Sequence, residues 1–132
     1  MKTRTALAAL TLSTLALPLA GIAPASASHG GGDAVRTHGG CVGPAVWKLK
    51  VKPDDGALET EFEVDQNVAG RDWRVVIRQN GVKRFRGIRT TKAPSGSFTV
   101  RRLLDDKPGA DHIVARARAL ATGQTCRGEI TL

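Results

Sequence analysis

Arginine is the residue type through which this sequence could most readily bind a ligand. Between Arg71 and Arg102, ten basic residues accompany one acid, Asp72, which leaves a surplus of nine positive charges in 32 residues. A guanidinium group binds phosphate or carboxylate through two parallel hydrogen bonds, which a lysine ammonium group does not offer. Such a segment binds polyanions or forms a solvated surface, and the sequence leaves both interpretations open.

Cys41 and Cys126 are the only cysteines of the chain. An oxidising compartment favours their pairing, and a disulfide across the 85-residue separation would stabilise the fold by about 4 to 5 kcal/mol on a chain-entropy model. The alternative, a reactive thiol, lacks a partner motif, and two cysteines alone cannot enclose zinc. We therefore predict a disulfide between Cys41 and Cys126.

Copper binding is an alternative that depends on where the amino terminus is cut. Cleavage after Ser28 would make His29 the first residue, and an N-terminal amine with its imidazole holds copper in the lytic polysaccharide monooxygenases. His38 or His112 could add a second nitrogen. Because the preceding residues fit cleavage after Ala27 better, we expect no metal and no other cofactor.

The carboxylates of the sequence do not suggest a catalytic pair. Those from Glu59 to Asp65 alternate along one segment and would have lysines opposite them rather than a cleft between them. The sequence also has no Gly-x-Ser-x-Gly, Walker, HExxH or EF-hand motif. We therefore expect a non-catalytic protein.

The first 27 residues have the pattern of an export signal. Lys2 and Arg4 precede an uncharged segment rich in Leu, Ala and Thr, and Ala25-Ser26-Ala27 supplies a small-x-small cleavage pattern. Cleavage after Ala27 leaves residues 28–132, with 18 basic and 12 acidic residues and a net charge of +6. We predict a secreted, monomeric protein of one domain, without a membrane span after processing.

Residues 28–40 are rich in glycine and poor in apolar side chains, so we expect a flexible arm before a domain at 41–132. In the domain, apolar and polar residues alternate in short segments separated by turn residues, which is typical of strands. Seven such segments predict an all-β antiparallel sandwich. They are residues 47–52, 58–65, 73–79, 82–89, 97–101, 113–119 and 126–132.

The first two segments carry complementary charges. If they pair in antiparallel fashion, three lysines of the first lie beside three glutamates of the second, and opposite charges across strands stabilise a sheet by a few tenths of a kcal/mol each. These residues are Lys48, Lys50 and Lys52, beside Glu59, Glu61 and Glu63.

Residues 73–89 predict a hairpin about Asn80-Gly81, because both turn positions of a type I′ turn require positive φ. The register depends on the loop. A two-residue loop and a three-residue bulged loop place Phe85 on opposite faces. We prefer the bulged loop, which brings Phe85 to the same side as Ile77.

From Cys41 to Leu132 the chain resembles a fibronectin type III or immunoglobulin-like module of bacterial secreted proteins. The resemblance rests on Trp73 in the third segment, on the approach from Leu104 to Pro108-Gly109, and on the alternating segment 113–119. It implies the sandwich fold without implying a ligand.

In such a sandwich the third, fourth and sixth strands are neighbours, so six arginines would stand on one outer face as a candidate anion-binding set. They are Arg74, Arg78, Arg84, Arg86, Arg116 and Arg118. We expect a structural or binding role at the cell surface or outside the cell, with another surface protein or an anionic envelope polymer as partner. The scarcity of aromatic residues disfavours specific recognition of nucleic acid.

Overall fold

A computed structural model describes residues 31–132. The predicted signal peptide and His29 lie outside the described residues. The described part of the chain has no helix long and apolar enough to cross a membrane. It contains eight strands: β1 (Val35–Gly40), β2 (Val46–Asp54), β3 (Ala57–Asp65), β4 (Asp72–Gln79), β5 (Val82–Thr90), β6 (Ser97–Asp105), β7 (His112–Ala119) and β8 (Thr125–Thr131).

The strands form two four-stranded antiparallel sheets. Their orders are β1-β2-β3-β6 and β5-β4-β7-β8. The predicted all-β fold with two antiparallel sheets is confirmed. The predicted count of seven strands is wrong, because β1 lies within the segment 28–40 that we expected to be an arm.

The glycines of β1 explain why composition concealed this strand. β1 pairs with β2 along its whole length, from Val35 opposite Val51 to Gly40 opposite Val46. A Cβ atom at Gly39 would stand 2.9 Å from the indole atom Cζ2 of Trp47, closer than carbon atoms pack. Glycine therefore lets the backbone pass beside the ring, and ladder hydrogen bonds stabilise a strand that has few apolar side chains.

Alternate residues of the strands point between the two sheets and form the core. All five aromatic residues of the chain belong to this core. They pack as tilted pairs at two places, with ring centroids 6.5 Å apart for Trp47 and Phe62 and 6.3 Å apart for Trp73 and Phe98. The fifth, Phe85, is buried against the same core.

The turn between β4 and β5 has the predicted type. Asn80 and Gly81 have φ angles of 51° and 81°, so both turn positions lie in the left-handed region that a type I′ turn requires. Gln79 lies opposite Val82, so the loop contains two residues. The three-residue loop that we preferred is therefore wrong.

A bulge in β5 nevertheless places Phe85 on the predicted side. Lys83 lies opposite Arg78 and Phe85 opposite Ile77, which leaves Arg84 as the extra residue. The extra residue reverses the alternation, so Phe85 points into the core beside Ile77. The expected placement of Phe85 on the same side as Ile77 is confirmed, with the bulge in the strand rather than in the loop.

The predicted disulfide is present and joins the two sheets along one side. Cys41 follows β1 and Cys126 lies in β8, and their Cα atoms are 4.3 Å apart. The backbone N–H of Val42 donates to the carbonyl of Thr125 over 2.7 Å beside it. Covalent and backbone contacts therefore close the sandwich where β1 approaches β8.

Candidate anion-binding face

Six arginines stand on the outer face of the β5-β4-β7-β8 sheet, a surface that we call the arginine face. On β4, β7 and β8 each of them is exposed and alternates with buried residues that point into the core. On β5 the bulge resets the same alternation, so that buried Phe85 is followed by an exposed arginine. The six are Arg74, Arg78, Arg86, Arg116, Arg118 and Arg127.

Five of the six arginines predicted for this surface lie on it. The exception is Arg84, which is exposed but occupies the bulge and has no partner position on β4. The structure adds Arg127, which sequence reasoning missed because only the third, fourth and sixth predicted strands were expected to lie side by side on this face. The alternation of Cys126, Arg127, Gly128 and Glu129 was the signal that could have found it.

The strand register brings these arginines close together. Arg74 on β4 lies directly opposite Arg118 on β7, and Arg116 on β7 lies opposite Arg127 on β8. Direct cross-strand partners have Cβ atoms about 4.5 to 5.5 Å apart, and like charges at that separation destabilise a sheet. The arrangement therefore costs folding free energy unless anions approach the face.

Only two carboxylates of the described residues share this face. Glu129 accepts a hydrogen bond from Arg127 Nη2 over 2.9 Å, and its Oε2 lies 3.1 Å from His112 Nε2. The hydrogen bonds from Arg127 and then His112 lower the pKa of Glu129. Asp72, at the end of β4, accepts a hydrogen bond from the Thr90 hydroxyl.

The other five arginines of the face form no ion pair with a carboxylate among residues 31–132. Arg78 donates one hydrogen bond of 3.4 Å to the carbonyl of Gly81, and the remaining donors of the five guanidinium groups stay free for water or for a ligand. The face therefore presents unneutralised charge to solvent.

The outer face of the β1-β2-β3-β6 sheet is different, because its three glutamates form ion pairs with Lys48, Lys50 and Arg101. The predicted alignment is confirmed, with Lys48, Lys50 and Lys52 opposite Glu63, Glu61 and Glu59 respectively. The Nζ atom of Lys48 lies 3.2 Å from Glu63 Oε1, and Glu61 Oε1 lies 3.4 Å from both Lys50 Nζ and Arg101 Nε.

The pKa of Glu61 reflects this pairing. Burial raises the pKa, but the hydrogen bond from Lys50 and the charges of Lys50 and Arg101 outweigh burial and lower it below its ordinary value. The carboxylate therefore stays ionised and neutralises its neighbours. Lys48 and Lys50 therefore have carboxylate partners that five of the six arginines of the other sheet lack.

Open depressions occur on both outer faces. One of about 310 Å³ on the arginine face is bordered by Arg74, Arg78, Arg116 and Arg118, with Val76 and Thr125 among its other lining residues. A larger depression, of about 440 Å³, lies on the other sheet, where Glu61 and Glu63 supply counter-charges. Size alone would favour the depression on the β1-β2-β3-β6 sheet as a binding site. Charge complementarity to an anion favours the depression on the arginine face.

Two of the histidines considered for copper, His38 and His112, do not lie close together. His38 lies on the outer face of the first sheet opposite Lys48, whereas His112 lies at the start of β7 on the second sheet. The two therefore face away from each other across the sandwich. Residues 31–132 contain no group of three or more His, Cys, Asp or Glu side chains that could hold a metal ion.

The burial of every aromatic residue also limits what the surface can recognise. Bases, and the sugar rings of many glycans, stack on exposed aromatic side chains. All five aromatic side chains of this chain are less than a tenth exposed. Recognition by the outer faces must therefore rely on charge, hydrogen bonds and aliphatic contacts.

The chain folds as an all-β sandwich of two antiparallel sheets, which one disulfide links. This fold is compatible with the resemblance to fibronectin type III and immunoglobulin-like modules. No family model, no curated protein and no solved structure matches the chain.

Proposed function

We propose that the chain is an exported, non-catalytic module that binds anionic polymers through its arginine face. The observation that carries this proposal is the contrast between the two sheets. Lys48 and Lys50 on one face form ion pairs with glutamates, whereas five of the six arginines of the other face form none with a carboxylate among the described residues. This asymmetry favours a binding role over a purely structural one.

The shape of the face supports a polymer as the ligand. The six arginines are spread over four adjacent strands rather than gathered in an enclosed cavity. A polyanion crossing such a surface contacts several guanidinium groups at once and releases the counterions that screened its own charges. Many weak contacts then add up, so a polyanion binds more tightly than a single small anion would.

Export is the second part of the proposal. The disulfide between Cys41 and Cys126 is stable in an oxidising environment and is rare in the cytosol. It agrees with the export signal that residues 1–27 suggest. Outside the cell, anionic polymers of an envelope would be available to the arginine face.

Binding to dextran sulfate as a function of salt tests the proposal. Because each neutralised charge contributes a slope of about 0.7 to 0.9 in log affinity against log salt, the pair Arg116→Gln and Arg118→Gln should lower the slope by about 1.5. The matched control, Arg36→Gln with Lys52→Gln, removes the same charge from the other sheet and should change the slope far less. Equal effects of the two double variants would refute the assignment to the arginine face.

A further inference from the structure

A half-buried valine lies at the centre of the arginine face, and four arginines surround it. Arg74 and Arg78 flank Val76 two residues away along β4, on the same side of the strand. Arg86 on β5 and Arg116 on β7 are its direct partners across the two neighbouring ladders. We call these four arginines the Val76 ring.

The dimensions of the Val76 ring follow from strand geometry. Residues two apart on a strand are about 6.6 to 6.8 Å apart, and neighbouring strands lie about 4.7 to 4.9 Å apart. An arginine side chain is long enough to cover such distances, so an anion above Val76 lies within reach of all four guanidinium groups. That of Arg78 would have to leave the carbonyl of Gly81, to which it donates over 3.4 Å. Two depressions of about 310 and 320 Å³ adjoin Arg74 there, one toward β7 and one toward β5.

None of the four arginines forms an ion pair with a carboxylate of residues 31–132. The position between them is occupied by an aliphatic side chain, which offers neither charge nor hydrogen bonds. Four guanidinium groups therefore surround a centre that offers no acceptor, and the one hydrogen bond that they donate within residues 31–132 is the long one of 3.4 Å from Arg78 Nη1 to the carbonyl of Gly81. An anion placed above Val76 would be the group that satisfies them.

The number of donors indicates what kind of anion fits. A carboxylate has two oxygens and pairs fully with one or two guanidinium forks. A phosphate monoester or a sulfate ester has three terminal oxygens arranged tetrahedrally, which can accept from several forks that approach from different sides. We infer that the Val76 ring is a site for a tetrahedral oxyanion group on the bound polymer, in preference to a carboxylate.

This inference rests on the proposed function and makes it more specific. It requires that the chain bind anionic polymers, and it adds that polymers bearing phosphate or sulfate esters are preferred over polyuronates and other polycarboxylates. Because one additional charge-assisted hydrogen bond is enough to change affinity about tenfold, we expect a preference of at least that size.

Three dextran derivatives of equal length and degree of substitution test the inference: phosphorylated, sulfated and carboxymethylated. We expect the first two to bind about tenfold more tightly than the third at the same salt concentration. Comparison of the phosphorylated with the sulfated polymer shows which of the two tetrahedral groups binds more tightly. Equal binding of the carboxymethylated polymer would overturn the inference while leaving the proposed function in place. Binding of none of the three would overturn both.

The variant Val76→Glu places a carboxylate inside the ring and should remove the preference for tetrahedral groups. Thr125→Glu adds the same charge on the same face, beside Arg118 and outside the ring, and should preserve the preference while weakening all binding slightly. Val76→Gln lengthens the side chain without adding charge and should also preserve the preference for tetrahedral groups. If Val76→Glu fails to fold, Arg78→Gln with Arg86→Gln replaces it, and retention of the tenfold preference there would contradict the inference.

Discussion

Arg74 on β4 and Arg118 on β7 are direct cross-strand partners, and neither forms an ion pair with a carboxylate of residues 31–132. Two like charges in this relationship destabilise the sheet. The β2–β3 ladder of the same molecule places opposite charges at equivalent positions. Under the proposed function, the arginine pair marks a surface on which stability has been exchanged for binding, as active and binding sites commonly require.

Replacing one member of this pair by an acid should separate stability from binding. In Arg74→Glu the new carboxylate faces Arg118, so we expect the free energy of unfolding to rise by about 0.2 to 1 kcal/mol. The affinity for dextran sulfate should fall, because the face loses two units of positive charge. Urea unfolding and binding measured on the same preparation check both effects.

Lys48→Glu is the control for that variant, since it makes the same charge change on the other sheet. It breaks the ion pair with Glu63 and places two acids opposite each other, so it should lower stability and leave most of the polymer affinity intact. A loss of stability in Arg74→Glu would show that the arginine pair is not a source of repulsion.

Gly128 on β8 should be intolerant of even the smallest side chain. A Cβ atom there would lie 2.5 Å from Cζ3 and 2.8 Å from Cε3 of Trp47, inside the core next to the disulfide. Gly128→Ala must therefore displace the indole, at a cost of about 1 to 3 kcal/mol of unfolding free energy. Gly40→Ala is the matched control, because a Cβ at Gly40 would have no atom within 4 Å. Equal thermal stability of the two variants would contradict this packing.

Period-two alternation was enough to predict the two-sheet fold and most of the arginine face. It succeeds because each buried strand must turn one side to the core, which determines where alternate residues such as Arg116 and Arg118 point. It failed for β1, where backbone pairing and the close approach of Gly39 to Trp47 replace apolar side chains. Local composition carries no signal for either interaction.

The hairpin shows a second limit of sequence reasoning. The Asn80-Gly81 pair determines the turn type, because few other residues tolerate two consecutive positive φ angles. The position of the bulge depends instead on Phe85 reaching the core beside Ile77, which is a tertiary contact. The same limit applies to Arg127, which joins the arginine face only because β8 pairs with β7.

Removal of the disulfide should be strongly destabilising. Cys41 and Cys126 enclose a chain separation of 85 residues, so their bond restricts the unfolded chain. On the chain-entropy model the double variant Cys41→Ala with Cys126→Ala should lose about 4 to 5 kcal/mol, within the range of about 2 to 5 found for native disulfides of small secreted domains. Urea unfolding of the variant, beside wild type with and without reductant, measures the loss. A change below about 1 kcal/mol would mean that the β1–β8 contacts close the sandwich without the bond.

Asp111 joins the β6–β7 loop to the β4–β5 turn. Its side chain is 2% exposed. Its Oδ2 accepts from the backbone N–H of Lys107 over 2.9 Å, and its Oδ1 accepts from the amides of Gln79 and Asn80 over 2.8 and 2.9 Å. Burial raises the pKa of Asp111, but these hydrogen bonds outweigh it and lower the pKa below its ordinary value.

A lowered pKa in the folded state makes Asp111 a source of pH-dependent stability. The contribution is complete above the pKa of the unfolded chain, about 3.9, and is lost as pH falls through the lower pKa of the folded state. Asp111→Asn removes a charged acceptor, so we expect it to lower the free energy of unfolding by about 1.5 to 3 kcal/mol at neutral pH. The difference from wild type should shrink as the pH falls below about 4. Urea unfolding between neutral pH and pH 2.5 measures this, with Asp55→Asn in an exposed turn as the control that should follow wild type throughout. A difference that stays constant with pH would show that Asp111 stabilises the loop by shape rather than by its charge.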